Sequence, residues 1–321
     1  MDEKTEACAV KPKITLSRKA KKNLFYYALV ALPLLQFAIF YVYVNFNNIL
    51  MAFKVYERVD DIAGGFTIIS RWSGENFPYV INALADKSFM FKNSITMFLV
   101  ATFIEYPLAL IFSFYIYKKY PASKLFKFVL FMPQIISSIV FGLLFKYIVN
   151  DVYLTIFPDG VTGGLLGQSD TTTGWAVIVF YNVWISFGVN VLLFSGGMSG
   201  IDESLVEAAE IDGVNNVQEF VRITLPLIYD TIVSLFIITL ASIFTNQMNL
   251  FTLYGAHARD YSSLGYFMYL QAQASDIISK DPDLYFSYSQ LAAMGVMLTL
   301  ICVPITIGVK KLMTKYGPSE E

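Results

Sequence analysis

Nine of the side chains bearing amides or hydroxyls inside long, nearly charge-free stretches of this 321-residue chain are candidates to face a solute: Gln134, Ser137 and Ser138; Asn182, Ser186 and Asn190; Asn246, Gln247 and Asn249. Tyr181 and Trp184 lie among them. An amide donates and accepts hydrogen bonds at once, and an aromatic ring stacks on flat C–H surfaces. Such a neutral lining suits a polyhydroxylated solute such as a sugar better than an ion. The same residue types also bond one buried helix to the next, so the residues alone leave both roles open. Glu105 is the lone carboxylate in another such stretch. It must be neutral or paired there, as a structural hydrogen-bonding group or as a proton carrier.

Other chemistries are missing. The chain has one His, and its two Cys, Cys8 and Cys302, lie at opposite ends. That excludes a disulfide framework, zinc spacing and a histidine-rich metal site. No phosphate-binding Gly-rich loop, H-E-x-x-H or G-x-S-x-G occurs. The sequence therefore gives no catalytic residue and no metal ligand, and the expectation is a protein that is not an enzyme. His257 reads as a loop residue. A net charge of −2 argues against a nucleic-acid partner.

The elements that hold these residues follow from composition. Apolar residues make up 56% and charged residues 15%, against roughly 45–50% and 25% in soluble domains. Stretches long enough for a ~30 Å hydrocarbon core fall at about 24–46, 93–117, 127–149, 174–195, 227–253 and 289–309. Gly and Pro punctuate them without strand-like alternation, so the fold class expected is an all-α membrane protein with six transmembrane helices in contact with lipid. With the N-terminus inside, 15 of the 23 basic residues, among them Lys4, Lys11, Lys13, Lys118 and Lys310, fall on the inner side. The connection 150–173 has none, as an outer loop should. Both termini are then cytoplasmic and the chain is a multi-pass protein of the cell membrane. The first stretch is too long for a signal peptide and no small-residue cleavage site follows it, so it reads as an uncleaved helix.

The long inner loop, 196–226, has its own pattern. Asp202 suits a helix N-cap and Gly213 a left-handed C-terminal position. Leu205, Ala208, Ala209 and Asp212 share one face of the helix between them. Asn216 with Glu219 reads as a capping box opening a second helix. Pro226 then starts the fifth span, where Asp230 faces the positive end of the helix dipole.

Glu207-Ala208-Ala209, Asp212-Gly213, Phe220 and Ile223-x-Leu225-Pro226 resemble the EAA motif of ABC-importer permeases. Phe131-Met132-Pro133 through Gly142, Trp184 with Gly188, and the pair Asn246 and Asn249 are similar to spans three to five of carbohydrate-importer permeases of the first-subunit type, such as those for maltose and glycerol phosphate. Asp202, Val214 and Ala256-His257 depart from the usual pattern without touching Glu207, Asp212 or Gly213.

The resemblance implies an EAA coupling helix between spans 4 and 5, with Glu207, Ala208, Ala209, Asp212 and Gly213 docking on an ATPase. It implies a substrate path through Asn246 and Asn249, joined by Asn182, Trp184 and Gln134. It also implies four kinds of partner: a second permease, two ATP-binding subunits, an extracytoplasmic solute-binding protein and a sugar or oligosaccharide substrate. ATP and Mg would be held by the partner ATPase, with no cofactor in this chain. The organisation expected is a basic cytoplasmic tail over 1–23, the first span and outer loop over 24–88, the permease domain over 89–312 and a cytoplasmic tail over 313–321. An ion-coupled secondary transporter of a polar solute, with Glu105 at its centre, is the alternative.

Overall fold

The computed structural model describes residues 17–60, 66–157, 164–167, 172–277 and 285–318. Lys4, Cys8, Lys11 and Lys13 lie outside the described residues, as do parts of the connection 150–173. The chain divides into two compact units, Met1–Met51 and Ala52–Glu321.

Among the described residues of the first unit there is one helix, α1, with a membrane-length stretch over Lys21–Ala52. Leu24 to Phe46 are exposed throughout. A helix that is apolar on all sides is at home in hydrocarbon rather than water.

In the second unit a two-stranded antiparallel ribbon comes first, β1 (Lys54–Asp60) and β2 (Phe66–Trp72). It is the one addition to the all-helical expectation among the described residues. The alternation of Tyr56, Arg58, Ile68 and Trp72 on one face is strand-like; Lys54 lies over the Trp72 ring and Arg58 over Phe66. Helix α2 (Asn76–Ala85) follows, tied back to the ribbon's base where Asn76 Nδ2 donates to the Ala52 and Lys54 carbonyls, 2.9 Å each.

Four more helices are long and apolar enough to span a membrane: α3 (Ser88–Tyr117), α5 (Ser138–Ile156), α6 (Thr172–Met198) and α12 (Tyr288–Tyr316). Helix α4 (Ser123–Ile135) precedes α5. The inner loop forms α7 (Glu203–Ile211) and α8 (Asn216–Leu227). Helix α8 meets α9 (Tyr229–Ala241) at a 67° bend, and the pair counts as the sixth span only if taken together. Beyond α9 come α10 (Leu250–Tyr254) and α11 (Leu264–Ala274).

Two expected spans are not continuous. The third, 127–149, breaks at Ile136 and Ser137, which are extended (ψ 143° and 129°), so α4 and α5 are separate helices. The fifth, 227–253, ends at Ala241; residues 242–249 turn before α10 begins. Met248 and Asn249 have φ of +54° and +51°. Asn tolerates this left-handed region because its short amide bonds locally.

Helices α3 and α6 pack along Tyr106, Ala109, Val191 and Phe194, and Ser113 Oγ donates across the contact to Val191 O at 3.0 Å. Helix α6 meets α4 at Gly188, where an added Cβ would lie 2.0 Å from Leu130 O. Inside α3 the turn Ala101–Glu105 widens to a π-helix just before Pro107. Proline has no N–H and its ring crowds the preceding turn, so the ladder relaxes there. The outward faces carry large apolar side chains such as Phe103, Ile111, Phe180 and Leu300, as a lipid-facing surface must.

Candidate functional site: a polar cavity within the spans and the helical loop below it

Asn182, Ser186 and Asn190 are four residues apart, so they form one polar stripe along α6. The stripe faces a cavity of about 200 Å³. Helix α3 contributes Glu105 from its widened turn, α9 contributes Thr239, and the broken segment after it contributes Ser242, Asn246 and Asn249.

The break is held from α6. Asn182 Nδ2 donates to Met248 O at 2.9 Å and to Ile178 O at 2.9 Å, while its Oδ1 accepts from Asn249 Nδ2 at 2.9 Å. Asn246 Oδ1 accepts from the Met248 backbone N–H at 2.8 Å, and Asn246 O accepts from Ser263 Oγ at 2.8 Å. Unpaired backbone groups inside a membrane cost several kcal/mol each; these amides stand in for the helical bonds that the break gives up. Gly265 lets α11 come close, since a Cβ there would lie 2.5 Å from the Thr245 backbone.

Glu105 is 2% exposed and accepts from Asn190 Nδ2 at 2.5 Å, which ties α3 to α6. Tyr106 donates to Leu235 O at 3.0 Å and shares a short hydrogen bond with Thr239.

Three of the five residues expected on the path therefore line the cavity: Asn182, Asn246 and Asn249. Gln134 and Trp184 do not. Gln134 Nε2 donates to Ile185 O at 2.6 Å and links α4 to α6 from an exposed position. Trp184 lies two residues from both Asn182 and Ser186, on roughly the opposite face of the helix, among Phe141, Phe145 and Phe180, and is 37% exposed. Tyr181 is fully buried beneath Phe145. Thr239, Ser242 and the Glu105–Asn190 bond are additions to the expected set. The four-residue spacing of 182, 186 and 190 was the sequence signal for the stripe.

The loop between α6 and α9 folds as its caps require. Asp202 Oδ1 accepts from the Ser204 N–H at 3.0 Å, and that bond holds its carboxyl below the usual range. At the other end of α7, Val214 N donates to Ala209 O and Gly213 N to Glu210 O, with Gly213 at φ +75°. This paired ending needs a left-handed residue, which Gly supplies without strain. The capping box lies one residue earlier than expected: Asn215 and Gln218 cap each other, at 2.9 and 3.1 Å. Glu219 instead is buried, with Oε2 3.0 Å from Lys118 Nζ, and Lys118 also reaches Glu210 at 3.2 Å. Phe220 packs on Phe114 with ring centroids 5.0 Å apart.

Of the face formed by Leu205, Ala208, Ala209 and Asp212, only Ala209 is buried. Leu205, Glu207, Ala208, Ile211 and Asp212 are exposed, Ile211 at 87%. Pro226 falls within α8, before the bend, rather than at the start of α9. His257 is an exposed loop residue.

The second unit thus holds membrane-length helices, a polar cavity lined from α3, α6, α9 and the segment after it, and a capped helical loop. Residues 23–315 match the family described as binding-protein-dependent transport system inner membrane component, and the chain belongs to that family. It is a multi-pass membrane protein, and its binding-protein-dependent transport family replaces the ion-coupled secondary transporter. It is similar to the arabinooligosaccharides transport system permease protein of Bacillus subtilis, 26% identical over 71% of this chain and 69% of that one. It is also similar to the multiple sugar-binding transport system permease protein of Streptococcus mutans, 27% identical over 79% of this chain and 88% of the relative. In fold it resembles a chain in the crystal structure of a bacterial alginate ABC transporter in complex with alginate pentasaccharide-bound periplasmic protein. The TM-score is 0.69 at 19% identity, covering 92% of this chain and 96% of that chain.

Proposed function

We propose that this chain is a permease subunit of an ATP-driven importer that moves an oligosaccharide delivered by a solute-binding protein. The observation that carries the proposal is the amide-lined cavity at the break after α9, where Asn182, Asn246 and Asn249 converge inside a membrane bundle. Amides there can exchange hydrogen bonds with sugar hydroxyls that have left water. Two relatives named for oligosaccharide and multiple-sugar transport support the substrate class.

In this reading the energy comes from outside the chain. A pair of ATP-binding subunits, carrying ATP and Mg, would receive the exposed side of α7, with Glu207, Ala208, Asp212 and Gly213 at the contact and Ala209 packed behind it. Lys118, at the end of α3, holds α7 and α8 through Glu210 and Glu219. Motion of the loop would therefore pull on the helix that carries Glu105 into the cavity wall. A second permease would complete the path, and both termini would lie in the cytoplasm. Nucleotide-dependent closure then shifts the population between outward- and inward-open states.

The test is uptake by cells with the coding sequence disrupted and then restored, using radiolabelled arabinotriose and maltotriose. Loss and recovery of uptake of either sugar, abolished by ATP depletion, is the expected result. Unchanged uptake of both sugars in the disrupted strain would overturn the oligosaccharide assignment.

A further inference from the structure

The ribbon of β1 and β2 lies outside the cavity lining, yet it presents large apolar side chains. Directly opposite residues of an antiparallel pair share a face. The register therefore sets Lys54, Arg58, Asp60, Phe66, Ile68 and Trp72 on one face. Trp72 is 65% exposed and Phe66 56%, with Ile68 exposed between them. Lys54 Nζ lies 5.0 Å from the Trp72 ring centre, and the Arg58 guanidinium 4.3 Å from that of Phe66. This face carries two cations and one acid by register. On the other face Arg71 pairs with Glu57 at 2.8 Å and with Glu75 at 2.7 Å, so two carboxylates share one guanidinium.

Position adds a second observation. The first strand begins at Lys54, just beyond Ala52, where a membrane-length stretch ends. Helix α2 then leads to the membrane-length α3 at Ser88. Asn76 holds the base of the ribbon at the Ala52 and Lys54 carbonyls. The ribbon thus starts at a membrane surface. A strand of 7 residues is about 23 Å long, whereas the headgroup layer on one side of a bilayer is only about 5–8 Å deep. An upright ribbon would carry Phe66 and Ile68 out into water. A flat one keeps both in the layer with Trp72.

We infer that the ribbon lies flat on the bilayer, with the face that bears Lys54, Arg58, Phe66 and Trp72 seated among phospholipid headgroups. Aromatic rings favour that layer, and Lys and Arg there meet lipid phosphates. The face with the surplus carboxylate is left to water. The inference goes beyond the transport reading and does not depend on which solute is carried.

The test places the photoreactive residue p-benzoylphenylalanine at Ile68, and separately at Ile69 on the opposite face, in the full chain in its native membranes. After irradiation the tryptic peptide 59–71, which holds both positions, is weighed by mass spectrometry. Adducts of phospholipid mass are expected at Ile68 and several-fold fewer at Ile69. Phe66 and Thr67, at the far end of the ribbon, should repeat the difference.

Equal lipid labelling of the two faces, a preference for Ile69, or no lipid adduct at Ile68 overturns the inference. Lipid at Ile68 without lipid at Phe66 overturns the flat arrangement, since the ribbon then stands upright. A protein adduct at Ile68 in place of lipid also overturns it and makes the face a docking surface for another subunit. Failure of oligosaccharide uptake by the wild-type chain would sink the sugar reading instead, while leaving the lipid adducts intact.

Discussion

Asn249 donates its side-chain amide to the Oδ1 of Asn182, 2.9 Å away, and the same Asn182 donates to the carbonyl of Met248. One residue of an unbroken helix thus holds two residues of a broken one. Asn182→Ala would leave the Met248 carbonyl and the Asn249 amide without these partners. A cost of about 1–3 kcal/mol is expected from such unsatisfied groups. It should appear as a lower thermal midpoint of the detergent-purified complex together with reduced uptake. A variant as stable and as active as the wild type would show that the break holds itself.

The contact between α4 and α6 depends on a missing side chain. Gly188→Ala puts a Cβ 2.0 Å from Leu130 O, so the backbones must separate. Overpacking of this kind costs about 1–3 kcal/mol. Gly196→Ala, on the same helix with nothing within 4 Å, is the control and should be neutral or slightly stabilising. Comparing the heat-inactivation temperatures of the two variants checks the geometry.

Lys118 is the link between α3 and the helical loop. Burial pulls its pKa down, but the hydrogen bonds and charges of Glu219 and Glu210 outweigh burial and hold it above the ordinary value. A raised pKa means that the ammonium's contribution is fully present below the unfolded value and fades as pH rises through the folded one. Lys118→Met should therefore destabilise the complex by a constant amount from pH 6 to 9. The difference should shrink only beyond the ordinary lysine range, about 10.4. Because Glu219 is buried, stranding it should cost about 3 kcal/mol. Thermal midpoints of both proteins across that pH range are the readout.

Gly213 ends α7 at φ +75°, and nothing lies within 4 Å of where a Cβ would sit. Gly213→Ala is thus a pure backbone test, expected to cost about 1–2 kcal/mol locally. If α7 docks an ATPase, the variant should keep its level in the membrane while losing most of its transport per ATP hydrolysed. Normal coupling would remove α7 from the docking role. At the other end, Asp202 has a depressed pKa, so its cap is complete at neutral pH and is lost only as pH falls through that lowered value.

The caps show what sequence settles locally. Asp202 and Gly213 act within three or four residues of themselves, so their types fixed both ends of α7 without reference to the rest of the chain. The capping box slipped by one because Asn215 and Asn216 are adjacent and equally able to cap. Tertiary packing chose between them by pulling Glu219 into the pair with Lys118.

The spans divide in the same way. Length and freedom from charge depend on composition alone, so the membrane-length helices were readable directly. The break after α9 was not. The stretch 242–249 is free of charge, but Ser242, Thr245, Asn246, Gln247 and Asn249 make it polar, and its open shape is held by partners distant in sequence: Asn182 on α6, and the close approach of Gly265 and Ser263. Facing was also hidden. Asn182, Ser186 and Asn190 mark a polar face on α6, but the apolar residues of α4 and α6 run round nearly every other side, so their periodicity does not say what Gln134 or Trp184 meets. The packing of α3, α6 and the segment after α9 closed the cavity on the Asn182 stripe, and the packing of α5 on α6 placed Trp184 in the aromatic cluster. In lipid an apolar side chain is equally at ease outside the bundle and within it, and only contacts between helices decide the difference.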